Sequence, residues 1–155
     1  MISFLALLFF ALPKDWSPEA IHVTKGDPIL PLDITDISGN RMRLEDVVEN
    51  SMVFIFSTKC NRCKEAIQNI PTRFQTSEIV LLFPETSAAV KQFLADNKSQ
   101  DFEGASFLVK PSDLESYNIK TLSAALGYRD SRLKLAFHGP VNDQGLSILH
   151  KYFHR

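Results

Sequence analysis

Residues 52–56 read Met-Val-Phe-Ile-Phe, and a short polar step later comes Cys60-Asn61-Arg62-Cys63. An unbroken apolar run of this length fits a strand buried on both faces. Ser57-Thr58-Lys59 leave the strand, and Cys60 opens a helix. Behind it Cys63, Ala66, Ile67, Ile70 and Phe74 recur at helical spacing. Pro71 lacks an N–H and should stop or bend that helix near Ile70. A second buried strand is expected over 78–83, with Ile-Val-Leu-Leu-Phe in it and Pro84 ending it. A strand, a helix and a strand in this order should form a right-handed parallel crossover. The spacing therefore places a cysteine pair where a buried strand hands over to a helix.

The remaining segments fit around that unit. Leu32, Ile34 and Ile37 lead into Ser38-Gly39-Asn40, a turn signal, and Met42 and Leu44 follow in alternation with Arg41 and Arg43. This predicts a hairpin over 31–44. Thr86 or Ser87 can cap a helix whose apolar positions include Val90, Phe93 and Leu94. Residues 105–109 read as an edge strand and 111–117 as a short helix. Strands over 123–128 and 133–138 are joined by Arg129-Asp130-Ser131-Arg132, and a helix over 146–153 ends the chain. Strands alternating with helices imply an α/β sandwich with one central mixed sheet.

The length of 155 residues suits one domain. Charge is balanced, 17 Lys plus Arg against 18 Asp plus Glu, with no basic stripe, so nucleic acid is not an expected partner. Ile2 begins an apolar run, broken only by Ser3, that extends to Leu12. It is shorter than the roughly 20 residues that span a bilayer and matches the apolar core of a secretory leader. Residues 1–20 are therefore expected to be a signal sequence or membrane anchor. Residues 13–28, with three prolines, read as a linker, and 21–155 are expected to hold the folded domain.

The chain has only two cysteines, two residues apart. A loop so short constrains the unfolded chain weakly, so the pair makes a poor staple. At a helix start, orphan N–H groups and the helix dipole favour negative charge. Cys60 should ionise more readily there than a free thiol. Lys59, Arg62 and Lys64 add positive potential. Cys63, one turn in, should be shielded. That makes Cys60 the attacker on a disulfide and Cys63 the resolver that releases the product. Three other readings compete: inert core cysteines, half a zinc site for which no second pair exists, and a Cu(I) site.

The stretch 33–138 resembles the TlpA/ResA-like branch of the thioredoxin superfamily. The resemblance rests on Ile34-Thr35-Asp36-Ile37-Ser38-Gly39-Asn40 with Leu44-Glu45-Asp46, on Phe54-Ile55-Phe56-Ser57-Thr58-Lys59 before the cysteines, and on Lys110-Pro111-Ser112-Asp113-Leu114-Glu115-Ser116-Tyr117-Asn118-Ile119. The strand pair after Ser123 also contributes. The resemblance implies a thioredoxin-like three-layer sandwich with an N-terminal β-hairpin extension. It also implies an extracytoplasmic, often membrane-tethered disulfide reductase, expected here as a monomer. Such a protein takes electrons from an upstream dithiol reductant, passes them to protein disulfides, and needs no cofactor or metal.

The departures from that pattern matter. Lys59 stands where the family usually has Trp, and Gln68 where it usually has Pro. Phe54 replaces the buried Asp of thioredoxins that takes a proton from the second thiol, so Cys63 needs another base or water. Ser123 falls where the family has a cis-Pro facing the disulfide. A trans bond and an altered substrate groove are expected there. Thioredoxin-fold peroxidases also lack that proline, which supports an alternative as a peroxiredoxin-like thiol peroxidase. In it Cys60 is peroxidatic, Ser57 binds peroxide, and Arg129 or Arg132 supplies the cation. Glu65 could relay protons to Cys63 but reads more readily as a solvated helix face, and His150 with His154 could form a metal pair at four-residue spacing but read more readily as surface histidines of a terminal helix.

Overall fold

The computed structural model describes residues 23–119, 124–138 and 141–155. The expected leader over 1–20 lies outside them, as does Ser123. Along the chain come β1 (Asp33–Asp36), β2 (Arg41–Arg43), β3 (Met52–Ile55), α1 (Asn61–Asn69), β4 (Ile79–Phe83), α2 (Ser87–Asp96), β5 (Ser106–Val109), α3 (Pro111–Glu115), β6 (Ala124–Arg129), β7 (Arg132–His138) and α4 (Asp143–Phe153). The strands form one sheet in the order β2-β1-β5-β4-β3-β6-β7. β3, β4 and β5 run parallel, while β6, β7, β1 and β2 are added antiparallel. The expected hairpin, crossover and terminal strand pair are all present.

The apolar runs explain the layering. Alternate residues of a strand point to opposite faces. Phe54, Phe56, Leu81 and Phe83 therefore face one side and pack with Ala66 and Ile67 of α1, Val90 and Phe93 of α2, and Leu146 and Leu149 of α4. Val53, Ile55, Val80 and Leu82 face the other side, against Leu30, Leu32, Leu44, Leu114 and Ile119. Both faces of the central strands are covered, as their continuous hydrophobicity requires. The result is a three-layer α/β sandwich.

One reading needs correction. The 105–109 segment is no edge strand: β5 lies between β4 and β1, with Ile34 opposite Val109. The hairpin β1–β2 extends the sheet beyond it. Gly39 at φ +99° makes that hairpin's turn, and the Asp36 carboxylate accepts from the N–H and the side-chain amide of Asn40, each at 2.9 Å. Those bonds hold the Asp36 carboxyl below its ordinary range.

The helix around Pro71 behaves as its chemistry requires. α1 ends at Asn69, and a 3₁₀ turn, Ile70–Thr72, follows. The β6–β7 turn places Asp130 and Ser131 at φ 52° and 60°, the left-handed conformation of a tight two-residue hairpin. Tyr128 is fully buried, and its hydroxyl accepts from the Leu30 N–H at 3.4 Å. Burial pushes its pKa up to about 12. Among the described residues no helix is long and apolar enough to cross a membrane.

Candidate active site

The parallel register of β3 and β4 builds the site. Ile55 pairs with Leu82, and the Phe56 N–H continues the ladder to the Leu82 carbonyl at 3.0 Å. The segments leaving the two strands therefore emerge side by side, 57–60 from one and 84–86 from the other. A turn closed by the Cys60 N–H on the Ser57 carbonyl at 3.2 Å swings the chain into α1.

Cys60 is the residue that caps this helix. Its backbone is extended (φ −94°, ψ 115°), and its sulfur accepts the N–H of Cys63 at 3.2 Å. An orphan donor of the first turn is thus spent on the sulfur. Cys60 is half-buried and Cys63 has no exposed surface; both are unpaired thiols. Burial pushes the Cys63 thiol well above its ordinary value, and its hydrogen bond with Cys60 adds to the rise. Backbone hydrogen bonding from Ser57 opposes it in part. The two thiols therefore differ in accessibility, as attacker and resolver must.

Lys59 and Arg62 flank the pair and are exposed. They contribute positive potential without a fixed contact. Glu65 is also exposed on the solvent side of α1, the solvated helix face that its sequence position favoured over a relay. Phe54 is fully buried, stacked on Phe56 with ring centroids 5.6 Å apart. It fills apolar space where a carboxylate would have served Cys63.

A carboxylate does reach the site from a position the sequence reading passed over. Glu85 accepts the Ser57 hydroxyl at 2.6 Å and the Thr58 N–H at 3.0 Å, both on Oε1. Its Oε2 is buried without a hydrogen-bond partner. The Ser57 Oγ in turn accepts the Lys59 N–H at 3.2 Å. One signal for Glu85 was available: a parallel crossover brings the residues just past its two strands together, and Pro84-Glu85 lies just past the second.

The residues named for a peroxidase do not converge. Ala124 of β6 pairs with Ile55 and Gly127 with Met52, so β6 runs away from the cysteines. Arg129 lies beyond the far end of β3, where its guanidinium bonds the Phe153 carbonyl and sits over that ring at 5.6 Å. Arg132 pairs opposite it. The Ser57 hydroxyl is committed to Glu85. His150 and His154 pack against each other and against Phe74, and His154 meets Glu78 at 3.7 Å. Among the described residues, no three His, Cys, Asp or Glu side chains come together to hold a metal.

No protein-family model matches the chain, and no curated protein does. Solved structures do. A thiol:disulfide interchange protein from Bacteroides sp. superposes with a TM-score of 0.64 at 16% identity, over 87% of this chain and 93% of that one. A secreted disulfide oxidoreductase of Mycobacterium tuberculosis gives 0.59 at 13% identity, over 81% and 96%. A peroxidoxin of the same organism gives 0.62 at 12% identity, over 86% and 97%. The chain has the thioredoxin-like fold, with the cysteine pair at the junction of β3 and α1.

Proposed function

We propose that the protein is a thiol–disulfide oxidoreductase that reduces or exchanges protein disulfides through Cys60 and Cys63. The observation that carries this reading is the asymmetry of the pair: a half-exposed sulfur capped by a helix N–H, with a second sulfur wholly buried one turn behind it. The Cys60 thiolate attacks a substrate disulfide and forms a mixed disulfide while one substrate sulfur leaves. Cys63 then attacks the Cys60 sulfur, expels the second substrate thiol and leaves the pair oxidised. A dithiol reductant returns it to the starting state. The thiol:disulfide interchange protein and the disulfide oxidoreductase that share the fold support this reading.

Lys59 and Arg62 are assigned to tuning the thiolate and steering substrate. Ser123 is assigned to the substrate groove, a placement supported by Ala124 pairing at the end of β3 that leads to Cys60. The apolar run from Ile2 to Leu12 supports an extracytoplasmic location, with 1–20 a cleaved signal or a tether and 21–155 the working domain. The domain is assigned as a monomer. The test is reduction of insulin disulfides by a small dithiol with and without the protein. Catalysis that disappears in Cys60→Ser supports the reading. Rapid consumption of peroxide with no insulin reduction would replace it with the peroxidase, and tight Cu(I) uptake without turnover would replace it with a copper-binding role.

A further inference from the structure

The three parallel strands finish at the same end of the sheet. The segments leaving β3, β4 and β5 therefore lie side by side, with Cys60 after β3, Glu85 after β4 and Lys110 after β5. The hairpin continues outward from them: Arg41 pairs with Thr35, Thr35 with Leu108 and Leu108 with Phe83. A cleft of about 660 Å³ opens here, and Arg41, Arg43, Lys110, Asp33, Leu108 and Glu85 line it. Glu85 joins the cleft to the active-site loop, because the same carboxylate accepts from Ser57 and Thr58.

The charges around this cleft are unevenly matched. Asp33 pairs with Arg43 at 3.4 Å, and Arg43 also meets Glu45 at 3.5 Å. Glu85 is held by the donors of the active-site loop. Arg41 and Lys110 are exposed and form no ion pair within the described residues. The whole chain has 17 basic against 18 acidic residues, so these two cations are a local feature and no part of a general positive charge. Neighbouring strands lie about 4.8 Å apart, which sets β5 about 10 Å and β2 about 19 Å from the strand that leads to Cys60. Extended chain rises about 3.3 Å per residue, so a peptide bonded to Cys60 reaches the two cations with residues about three to six positions from its own cysteine.

We propose that this cleft docks an acidic segment of the substrate, so that the disulfides the protein acts on lie in chains carrying Asp or Glu about three to six residues from the reacting cysteine. This rests on the oxidoreductase reading above. Carboxylates of the segment pair with Arg41 and Lys110, and its apolar atoms lie on the half-buried Leu108. Asp33 and Glu85 stay bonded to Arg43 and to the active-site loop, so neither competes for the two cations. The cleft lies on the β4–β5 side of the cysteines, and β6, which follows Ser123, lies on the other. The contact is made away from the reacting sulfurs, so it acts on substrate binding and leaves the chemical step to Cys60 and Cys63.

The experiment compares the reduction of three disulfide-bonded peptides by the full chain, with a small dithiol in excess. The first peptide carries a Glu pair about four residues from a cysteine. The second carries Gln in those places, and the third carries the Glu pair directly beside the cysteine. Wild type should reduce the first about tenfold more efficiently than the second in kcat/KM, mostly through KM, as two exposed charge pairs allow. It should also favour the first over the third, and the preference should fade in about 0.5 M salt. Arg41→Gln with Lys110→Gln should bring the ratio of the first two peptides close to one. Arg41→Glu with Lys110→Glu should turn it toward the Gln peptide, with the urea midpoint checking each fold. Should neither double variant fold, the ordering of the three peptides by wild type and its loss in salt decide. Equal reduction of the first two peptides, preference for the third, or a preference kept in a folded double variant overturns the docking and leaves the oxidoreductase reading standing. Reduction of none of the peptides by wild type overturns that reading, and the docking with it.

Discussion

The Cys63 N–H donates to the Cys60 sulfur at 3.2 Å, so the buried member of the pair stabilises the exposed one through its backbone. One residue's amide thus binds its partner's sulfur while its own side chain is kept protonated by burial.

This asymmetry predicts alkylation order. Iodoacetamide at neutral pH should modify Cys60 at least about tenfold faster than Cys63 in the reduced protein. Peptide mass spectrometry after short exposure measures it directly. Preferential labelling of Cys63 would reverse the assigned roles.

Stability should fall at alkaline pH in a defined way. A thiol held protonated in the folded state has a raised folded pKa, so its contribution is complete below the unfolded value of about 8.5. As pH rises past that value the unfolded chain releases a proton that the native one keeps, and stability drops by up to about 1.4 kcal/mol per pH unit. Tyr128 adds a second window from its ordinary 10.0 up to about 12. Urea unfolding of the reduced protein should therefore weaken from pH 8.5, and Cys63→Ala should delay the onset to the tyrosine window. An unchanged onset in that variant contradicts the burial argument.

Gly127 marks a close approach within the sheet. A Cβ there would lie 2.9 Å from Leu135 Cγ and 3.0 Å from Met52 Sδ, and the register of β6 and β7 shifts just after it. Gly127→Ala should destabilise the fold by about 1–3 kcal/mol through overpacking, read from its urea midpoint. A midpoint equal to wild type would mean that the contact relaxes freely.

Ser123 is assigned to the groove beside Cys60. Ser123→Pro should change insulin turnover or Cu(I) affinity, because a proline there presents a different edge to substrate and sulfur. Unchanged turnover and unchanged Cu(I) affinity in a folded variant would remove Ser123 from the site.

The crossover and the cysteine pair were legible because both are local: a buried strand, a turn and an amphipathic helix lie within about 30 residues, the span of a βαβ unit. The layering followed from continuous apolar strands. The place of β5 was not legible, because its second neighbour β1 lies far back in the sequence and presents only Ile34 as a fully buried position. Glu85 was missed because Pro84-Glu85-Thr86 reads locally as a strand end and a helix cap; Thr86 does cap α2, accepting the Ala89 N–H at 3.3 Å. What draws Glu85 inward is the Ser57 hydroxyl, 28 residues away, and no periodicity carries that information. Glu65 stands much nearer Cys63 in sequence, but its position on α1 turns it to solvent.

The central claim is that Cys60 attacks and Cys63 resolves. The most direct measurement is trapping with a disulfide-bonded peptide, read by intact-protein mass under non-reducing conditions. Cys63→Ser should accumulate a one-to-one mixed disulfide on Cys60, Cys60→Ser should form none, and wild type should pass through to its internal disulfide. An adduct on Cys63 in Cys60→Ser, with none on Cys60 in Cys63→Ser, would contradict the account.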